Sequence, residues 1–226
     1  MNPHIACILL LGGALFFTSC SRSFFTTVNN MSNIYGTVYL KNGRSMEGEI
    51  STSLENSFSR NEYIRFTPRS GGRERQKINI DELDGISLRN EYYVPKKIDE
   101  GFFSGDRMLF VKRITRADSR IQMYELHKRR RNTNRDRFGT YAYYVDDYYF
   151  YISLPGQEEY KAWSIDGKHL VPNFEDKMSE YVKDCPELAA KIKRKERGYF
   201  YAQISLSNRK RIETILNIID EYNACR

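Results

Sequence analysis

The chain has 226 residues, a formal net charge of +7 and 40% hydrophobic residues. These values fit one or two globular domains with a real core, and they exclude collagen, a coiled coil, a polytopic membrane protein and a disulfide-dense miniprotein. The 17 Tyr and 13 Phe also exclude a chain that is disordered throughout, because such chains contain few aromatic residues.

The first 19 residues contain no Lys, Arg, Asp or Glu, and residues 5–17 are apolar or Gly. A helix of that length reaches about 20 Å, short of the roughly 30 Å hydrocarbon core, and is typical of a signal peptide. Thr18 and Ser19 then precede Cys20, as in a bacterial lipobox. We therefore predict a lipoprotein signal over residues 1–19 and lipid attachment at Cys20. The alternatives are an ordinary secretory signal followed by a chance Cys, and a single-pass anchor.

Residues 20–33 are mostly polar and are predicted to form a tether. A lipidated Cys that carries more than one acyl chain anchors a protein stably, and no acidic residue follows Cys20 closely. We expect a protein of the bacterial cell envelope that faces the periplasm, at the outer membrane rather than the inner one. The membrane would then be its first partner, through the lipid.

Two cysteines remain in the mature chain, Cys185 and Cys225. An even pair in an oxidising compartment predicts a disulfide. It would close a loop of about 40 residues, worth about 4 kcal/mol in the chain-entropy model. The alternative is two buried free thiols. A zinc site is not expected, because there is no CxxC pair and no nearby His.

The first half of the mature chain, residues 34–98, is predicted to be a β module. Residues 34–50 alternate in polarity across an Asn-Gly turn. A two-residue loop would pair Val38 with Glu47, whereas a three-residue loop with Gly43 in the left-handed region pairs Val38 with Met46. The second register collects the apolar side chains on one face, so we predict the three-residue loop. Further strands, which would complete a meander of about five, are predicted at 63–67, 77–80, 86–88 and 92–94.

The next segment, residues 99–168, is predicted to contain two hairpins and a basic loop. The first hairpin joins 108–114 to 121–126, and the second joins 148–154 to 159–163 through a turn at Pro155-Gly156. Between them, residues 127–137 are strongly basic and show no apolar periodicity.

The last segment, residues 169–226, is predicted to be helical, because its apolar spacing changes to that of helices. The first helix would have Asn173 as N-cap, the second would run from Pro186 to about Arg197, and the third would have Ser207 as its cap. Strands followed by helices indicate an α+β fold. We expect an antiparallel twisted sheet or partly open small barrel followed by two or three C-terminal helices, with residues 34–226 as several segments or one domain.

Catalytic chemistry is hard to find in this sequence. It lacks the common zinc-protease, serine-hydrolase and nucleotide-binding motifs, and we expect no cofactor. Asp146 and Asp147 form an adjacent acidic pair, but neighbours in a strand point to opposite faces, so we expect a polar turn there. The acidic run at 81–84 lacks the spacing of a calcium loop, and no metal site is predicted.

The net charge is concentrated in one region. Residues 107–137 contain 11 Lys or Arg and 3 Asp or Glu, a local net charge of +8, while the rest of the chain has a net charge of −1. The candidate anion-binding residues are Lys128, Arg129, Arg130, Arg131, Arg135 and Arg137. A Tyr-rich stretch follows, and the candidate aromatic surface is Tyr144, Tyr148, Tyr149 and Tyr151.

Basic groups beside aromatic rings can bind single-stranded nucleic acid, but export makes nucleic acid an improbable partner. The anions available in the envelope are lipid headgroups, phosphorylated polymers and acidic glycans. The alternatives are a contact with an envelope protein complex, and a solvated basic loop that binds nothing.

Several segments together resemble a known group of proteins. They are the hairpin at 36–50, the strand at 64–66, residues 78–86 and 108–111, the Asp184-Cys185 pair and the closing run 221–225. This order is similar to uncharacterised secreted proteins and lipoproteins common in Bacteroidetes, which end in a helix with Tyr-Asn-x-Cys. The resemblance implies secretion, an N-terminal β module and a C-terminal helical piece, and it implies no activity. The first turn of that group is Gly-Asp-Thr, whereas this chain has Asn42-Gly43-Arg44. The basic stretch at 127–137 is also more extreme than the resemblance leads us to expect.

The sequence therefore predicts a lipid-anchored envelope protein with a non-catalytic binding or structural role, whose basic hairpin contacts anionic envelope components. A rival hypothesis is an envelope hydrolase or transferase in which Asp146, Asp147 and Glu158 converge with Tyr or Lys. A third is an interaction subunit of a larger complex, which would expose an apolar patch beside the Tyr-rich strands.

Overall fold

The computed structural model describes residues 30–53, 63–69, 74–99, 106–154, 161–167, 169–201 and 208–225. They form one ten-stranded, predominantly antiparallel sheet followed by three helices, so the α+β prediction is confirmed. The strands are β1 (Asn30–Leu40), β2 (Ser45–Ser53), β3 (Tyr63–Pro68), β4 (Gln76–Asn79), β5 (Leu83–Leu88), β6 (Glu91–Asp99), β7 (Asp106–Arg113), β8 (Gln122–Asp136), β9 (Gly139–Ser153) and β10 (Lys161–Ser164). The helices are α1 (Phe174–Tyr181), α2 (Pro186–Lys193) and α3 (Asn208–Ala224).

The β1–β2 hairpin has the predicted register. Val38 pairs with Met46, and Gly43 has a φ of +82° in the connecting turn. The Gly43 amide donates a hydrogen bond to the Leu40 carbonyl at 2.9 Å, and the Leu40 amide donates one to Arg44 at 2.9 Å. The burial of one face therefore selected the register, as the alternation of the sequence predicts.

The first five strands are not a simple meander. β1 to β4 follow one another, but β5 returns to pair with β1, which gives the order β5-β1-β2-β3-β4. One turn of 3-10 helix (Ile80–Glu82) makes the return, and the Lys41 amide donates a hydrogen bond to the Glu82 carbonyl at 2.9 Å. Alternation of polarity finds strands but does not say which strand pairs with which, and this connection was missed for that reason.

The second half of the sheet closes on itself. β6 to β10 lie side by side, and β10 then forms a short parallel pair with β6, with Lys161 opposite Lys97 and Ala162 opposite Ile98. The result is a ring of five strands that continues into the open half of the sheet through β5. The turn predicted at Pro155-Gly156 lies outside the described residues.

Two glycines of the first hairpin are required by close packing between strands. Gly36 and Gly48 face each other across β1 and β2. A Cβ on Gly36 would lie 2.3 Å from the Ser87 carbonyl oxygen, and one on Gly48 would lie 2.2 Å from that of Thr67. Both glycines therefore have a structural role in the hairpin.

Three apolar clusters form the interior. One lies under β1 to β5 and includes Val38 and Phe66, and a second includes Val111 and Tyr124 of the ring. The largest packs Met123 of β8 and the opposite strand against the three helices. All described members of these clusters lie between residues 34 and 225. A chain that begins at residue 21 therefore keeps the described interior.

The helices differ from the sequence predictions in detail. Asn173 does precede α1, but it has a φ of 62° and its side chain makes no capping hydrogen bond. α2 ends at Lys193, four residues before the expected Arg197, and the left-handed Lys195 follows. The predicted cap Ser207 lies outside the described residues.

The end of α3 is joined to the rest of the fold by the predicted disulfide between Cys185 and Cys225, whose Cα atoms are 6.0 Å apart. Arg120, in the β7–β8 turn, donates hydrogen bonds to Asp184 and to the Tyr222 hydroxyl, and its guanidinium carbon lies 3.7 Å from the Tyr222 ring centroid. The Arg120 amide also donates to Asn223 at 2.9 Å. The Tyr-Asn-x-Cys ending is thus a structural lock between helices and sheet.

Residues 1–29 lie outside the described residues, and so does the predicted lipid-attachment site Cys20. Within the described ranges, none of the helices is both long enough and apolar enough to cross a bilayer.

Candidate functional site

β8 and β9 extend far beyond the rest of the sheet. They pair over their whole length, from Gln122 opposite Ser153 to Asp136 opposite Gly139. β7 pairs with β8 only near its start, at Glu125 and Tyr124, and β10 pairs with β9 only near its end. From the Lys128–Asp147 pair outwards, neither strand has another neighbour in the described part of the chain. Residues 128–147 therefore form a two-stranded ribbon, nine pairs or about 30 Å long.

The predicted basic loop is therefore wrong, because residues 127–136 belong to a strand. Strands were predicted from an alternating apolar face, and the ribbon has no such face. Its strands are instead supported by cross-strand contacts of aromatic and polar side chains. One example is Asn134, which donates a hydrogen bond to the hydroxyl of Tyr141, directly opposite, at 3.0 Å.

Strand alternation gives the ribbon two faces with different chemistry. The tyrosine face comprises Lys128, Arg130, Asn132, Asn134, Asp136, Gly139, Tyr141, Tyr143, Val145 and Asp147. The arginine face comprises Arg129, Arg131, Thr133, Arg135, Thr140, Ala142, Tyr144 and Asp146. The outer part of the tyrosine face, across Asn132–Asn134 and Tyr141–Tyr143, contains no formal charge.

The six candidate anion-binding residues all lie on the ribbon or at its tip. Arg131, Arg135 and Arg137 are exposed. Lys128 and Arg129 lie opposite Asp147 and Asp146 in the register, while the side chains of Arg129 and Arg130 lie outside the described residues. With six Lys or Arg and three Asp, the ribbon has a net charge of +3.

The remaining basic residues of 107–137 do not belong to this surface, so the local +8 is not one patch. Lys112 donates to Glu91 at 2.7 Å, Arg113 lies 4.2 Å from the Tyr92 ring centroid, and Arg120 binds the end of α3. These residues serve the body of the protein, and charge counting along the sequence could not separate them from the ribbon.

The predicted aromatic surface is partly correct. Tyr144 is 60% exposed and Tyr149 is 42% exposed. Tyr148 is half-buried and stacks on His127 with ring centroids 4.8 Å apart. Tyr151 was wrongly placed on the surface, because it is buried in the ring. Tyr141 and Tyr143 belong to the Tyr-rich stretch but were not among the candidate surface residues, although both are exposed and alternation places them together on the tyrosine face.

The tip of the ribbon carries the most exposed large apolar side chain of the described residues, Phe138, at 84%. Its amide donates a hydrogen bond to the Asp136 carboxylate at 2.8 Å, which holds the turn. The guanidinium carbon of Arg137 lies 4.9 Å from the Phe138 ring centroid. An isolated Phe beside Gly in a basic segment carries no sequence signal, and Phe138 was missed.

The acidic pair does not form one site. Asp146 and Asp147 lie in β9, on opposite faces of the ribbon, and not in the expected polar turn. Asp146 contacts the buried His127, with Oδ1 2.9 Å from Nε2. Glu158 lies outside the described residues. The two aspartates therefore do not converge as the hydrolase or transferase hypothesis requires.

A buried acidic residue that the sequence analysis did not single out lies at the foot of the ribbon. Glu125 is 1% exposed, and neither of its carboxylate oxygens has a hydrogen-bond partner among the described residues. Burial raises the pKa of Glu125 to about 7, while the opposing Lys112 lowers it and nearby Glu91 raises it. Glu91 accepts hydrogen bonds from Lys112 and from the Tyr93 hydroxyl, the latter at 2.5 Å. Glu125 lies two residues after Met123 in the same strand, so alternation places it on the same buried face. This spacing could have identified Glu125 from the sequence.

Other concave or acidic places are weaker candidates. A cavity of about 210 Å³ lies between the start of α1 and residues 195–201, below the roughly 300–1,000 Å³ of ordinary small-molecule sites. The ion pair Lys195–Glu175, 2.7 Å long, lies at its wall. In the described ranges no three His, Cys, Asp or Glu side chains come together as metal ligands would, the acidic run 81–84 included.

Comparison with protein-family models, curated proteins and solved structures gave no match.

Proposed function

We propose that this protein is a lipid-anchored, non-catalytic component of the bacterial cell envelope that binds phosphate-bearing surfaces through its ribbon. The observation that carries the proposal is a two-stranded projection about 30 Å long with exposed arginines at positions 131, 135 and 137. Anchoring through Cys20, a periplasm-facing position and kinship with secreted lipoproteins of the Bacteroidetes type are parts of the same proposal, and they rest on the sequence.

The shape of the ribbon supports binding more than catalysis. A two-stranded ribbon is marginally stable alone, and this one packs no apolar face of its own against the body. Its outer residues from Arg131 to Tyr144 are almost all exposed. A long exposed element of this kind offers contact area without a cleft, which suits an extended ligand or a surface and does not suit a small substrate.

The chemistry of the arginine face indicates the ligand. Arg131 and Arg135 share that face and are about 13 Å apart along the strand. One guanidinium group can bind two phosphate oxygens at once, and it keeps its charge at every physiological pH. The ribbon has a net charge of +3, and Arg131, Arg135 and Arg137 are exposed on it, so an anionic surface would be attracted to it.

Vesicle binding tests the proposal. The chain from residue 21 onwards, which lacks the predicted signal and Cys20, is mixed with phosphatidylcholine vesicles, with vesicles that also contain phosphatidylglycerol, and with soluble polyphosphate. We expect binding to the anionic vesicles and to polyphosphate that weakens as NaCl rises from about 0.01 M to about 1 M. Binding to polyphosphate alone would identify a free phosphate polymer as the ligand, and binding to neither would refute the proposal.

Charge variants then locate the surface. Each Lys or Arg near an anionic membrane contributes about 1 kcal/mol, so Arg131→Gln with Arg135→Gln should weaken vesicle binding by about 30-fold. The matched control, Arg209→Gln with Lys210→Gln, removes the same charge from an exposed surface of α3 and should change binding little. Equal losses in both variants would mean that only net charge matters and that the ribbon has no special role.

A further inference from the structure

We propose that the tip of the ribbon inserts Phe138 into the interfacial region of an anionic lipid bilayer, so that the ribbon binds membrane and not only phosphate. This inference rests on the proposed function and deepens it, because it selects one source of the phosphate groups.

Phe138 lies at the outermost point of the ribbon. It lies in the two-residue connection between Asp136 and Gly139, the pair that closes the ribbon. When the ribbon points towards a surface, this residue is therefore the first to reach it. Its ring is 84% exposed, well above the next large apolar or aromatic side chain, Tyr144 at 60%.

The side chains nearest the tip have a composition that fits a lipid interface. Phe138 comes first, followed by the exposed Arg137 and Arg135, and then by Tyr141 and Tyr143 at 49% and 43% exposure. A bilayer interface accommodates these groups, because apolar groups lie deepest and both cations and Tyr lie at headgroup level. The arrangement fits a lipid surface better than a soluble polyanion, which has no apolar layer for the ring.

The charges near the tip also favour this contact. Arg137 remains close to the ring, with 4.9 Å between its guanidinium carbon and the ring centroid, so ring and cation would arrive together. The one acid at the tip, Asp136, accepts the Phe138 amide hydrogen bond inside the turn. Its charge is thus held at the turn, and the outer ribbon also carries Arg131, Arg135 and Arg137.

A tryptophan at the tip reports insertion directly. In Phe138→Trp, the emission of the new indole is obtained by subtracting the spectrum of the unsubstituted chain, which contains Trp163 alone. With vesicles that contain phosphatidylglycerol we expect a blue shift, and quenching by lipids brominated on their acyl chains. With soluble polyphosphate we expect binding without a blue shift. Binding to anionic vesicles with no blue shift and no quenching would overturn the insertion and leave the proposed function intact.

Loss of the ring gives an independent measure. Phe138→Ser should reduce partitioning into anionic vesicles by about 10- to 100-fold, since a buried Phe side chain contributes to transfer by that factor, and polyphosphate binding should not change. Phe138→Leu keeps an apolar side chain and should retain most of the partitioning. If Phe138→Ser binds vesicles as well as the unsubstituted chain does, the inference is wrong. If the unsubstituted chain and all its variants bind neither vesicles nor polyphosphate, the proposed function itself is wrong.

Discussion

The inner and outer halves of β8 and β9 share one pair of strands and one continuous register, yet they have opposite surroundings. In the inner half, Met123 and Leu126 are almost fully buried, as are Phe150 and Ile152 opposite. In the outer half, nearly every described side chain is exposed or half-buried. The inner half is stabilised by the core and the outer half by cross-strand pairs. A strand can therefore continue well past the core, and what it carries there is available for binding.

Excision of the outer half should produce the largest effect. Replacing residues 131–144 with Asn-Gly closes the hairpin between Arg130 and Val145, six residues from the present closing pair on each strand. An even number of residues preserves the alternation of hydrogen-bonded pairs. We expect vesicle and polyphosphate binding to disappear while far-ultraviolet circular dichroism still shows a folded protein and Tm changes by only a few degrees. A protein that no longer folds would mean that the ribbon supports the body.

A matched pair of alanine substitutions compares how much the inner and outer halves of β8 contribute to the free energy of unfolding. Met123 and Thr133 lie in β8 on the same face, but Met123 is fully buried and Thr133 is exposed. Met123→Ala should lower the free energy of unfolding by about 2–5 kcal/mol, and Thr133→Ala should change it by less than about 0.5 kcal/mol. Denaturant titration of both variants gives the two values. A large loss at Thr133 would indicate that something packs on the ribbon.

The pH dependence of stability should reveal Glu125. Its folded pKa of about 7 lies above the value of the unfolded chain, so the fold favours the protonated carboxyl. The contribution is fully present below about pH 4.5, is lost as the pH rises through 7, and amounts to about 3 kcal/mol. Urea titrations from acid to mildly alkaline pH should show this loss in the unsubstituted chain. Glu125→Gln should remove most of it, and identical pH profiles for the two chains would contradict the assignment.

The sequence predicted the parts of the fold that follow from burial or chain closure. The register of Val38 and Met46 followed from one apolar face, and the pairing of Cys185 with Cys225 followed from an even count and a predicted oxidising compartment. The return of β5 to β1 was missed, since alternation carries no information about strand partners.

The candidate site was harder to predict, for a physical reason. Ribbon residues such as Asn132 and Tyr143 bury little, so the hydrophobic pattern that identifies strands is absent from them. Lys112 and Arg120 looked equivalent to Arg131 in the sequence, but their partners come from distant strands and helices. Phe138 is a candidate for surface binding only because the fold places it at the tip of the ribbon.

The strands of the ribbon continue without a break into the ring. The ring is joined to the helices by the hydrogen bond from Arg120 to Tyr222, and the disulfide holds the end of α3. The continuous backbone thus connects the tip to Met123 and Ile152, which pack in one cluster with the helices. The length of the ribbon, about 30 Å, would set the distance between the body and a surface bound at the tip.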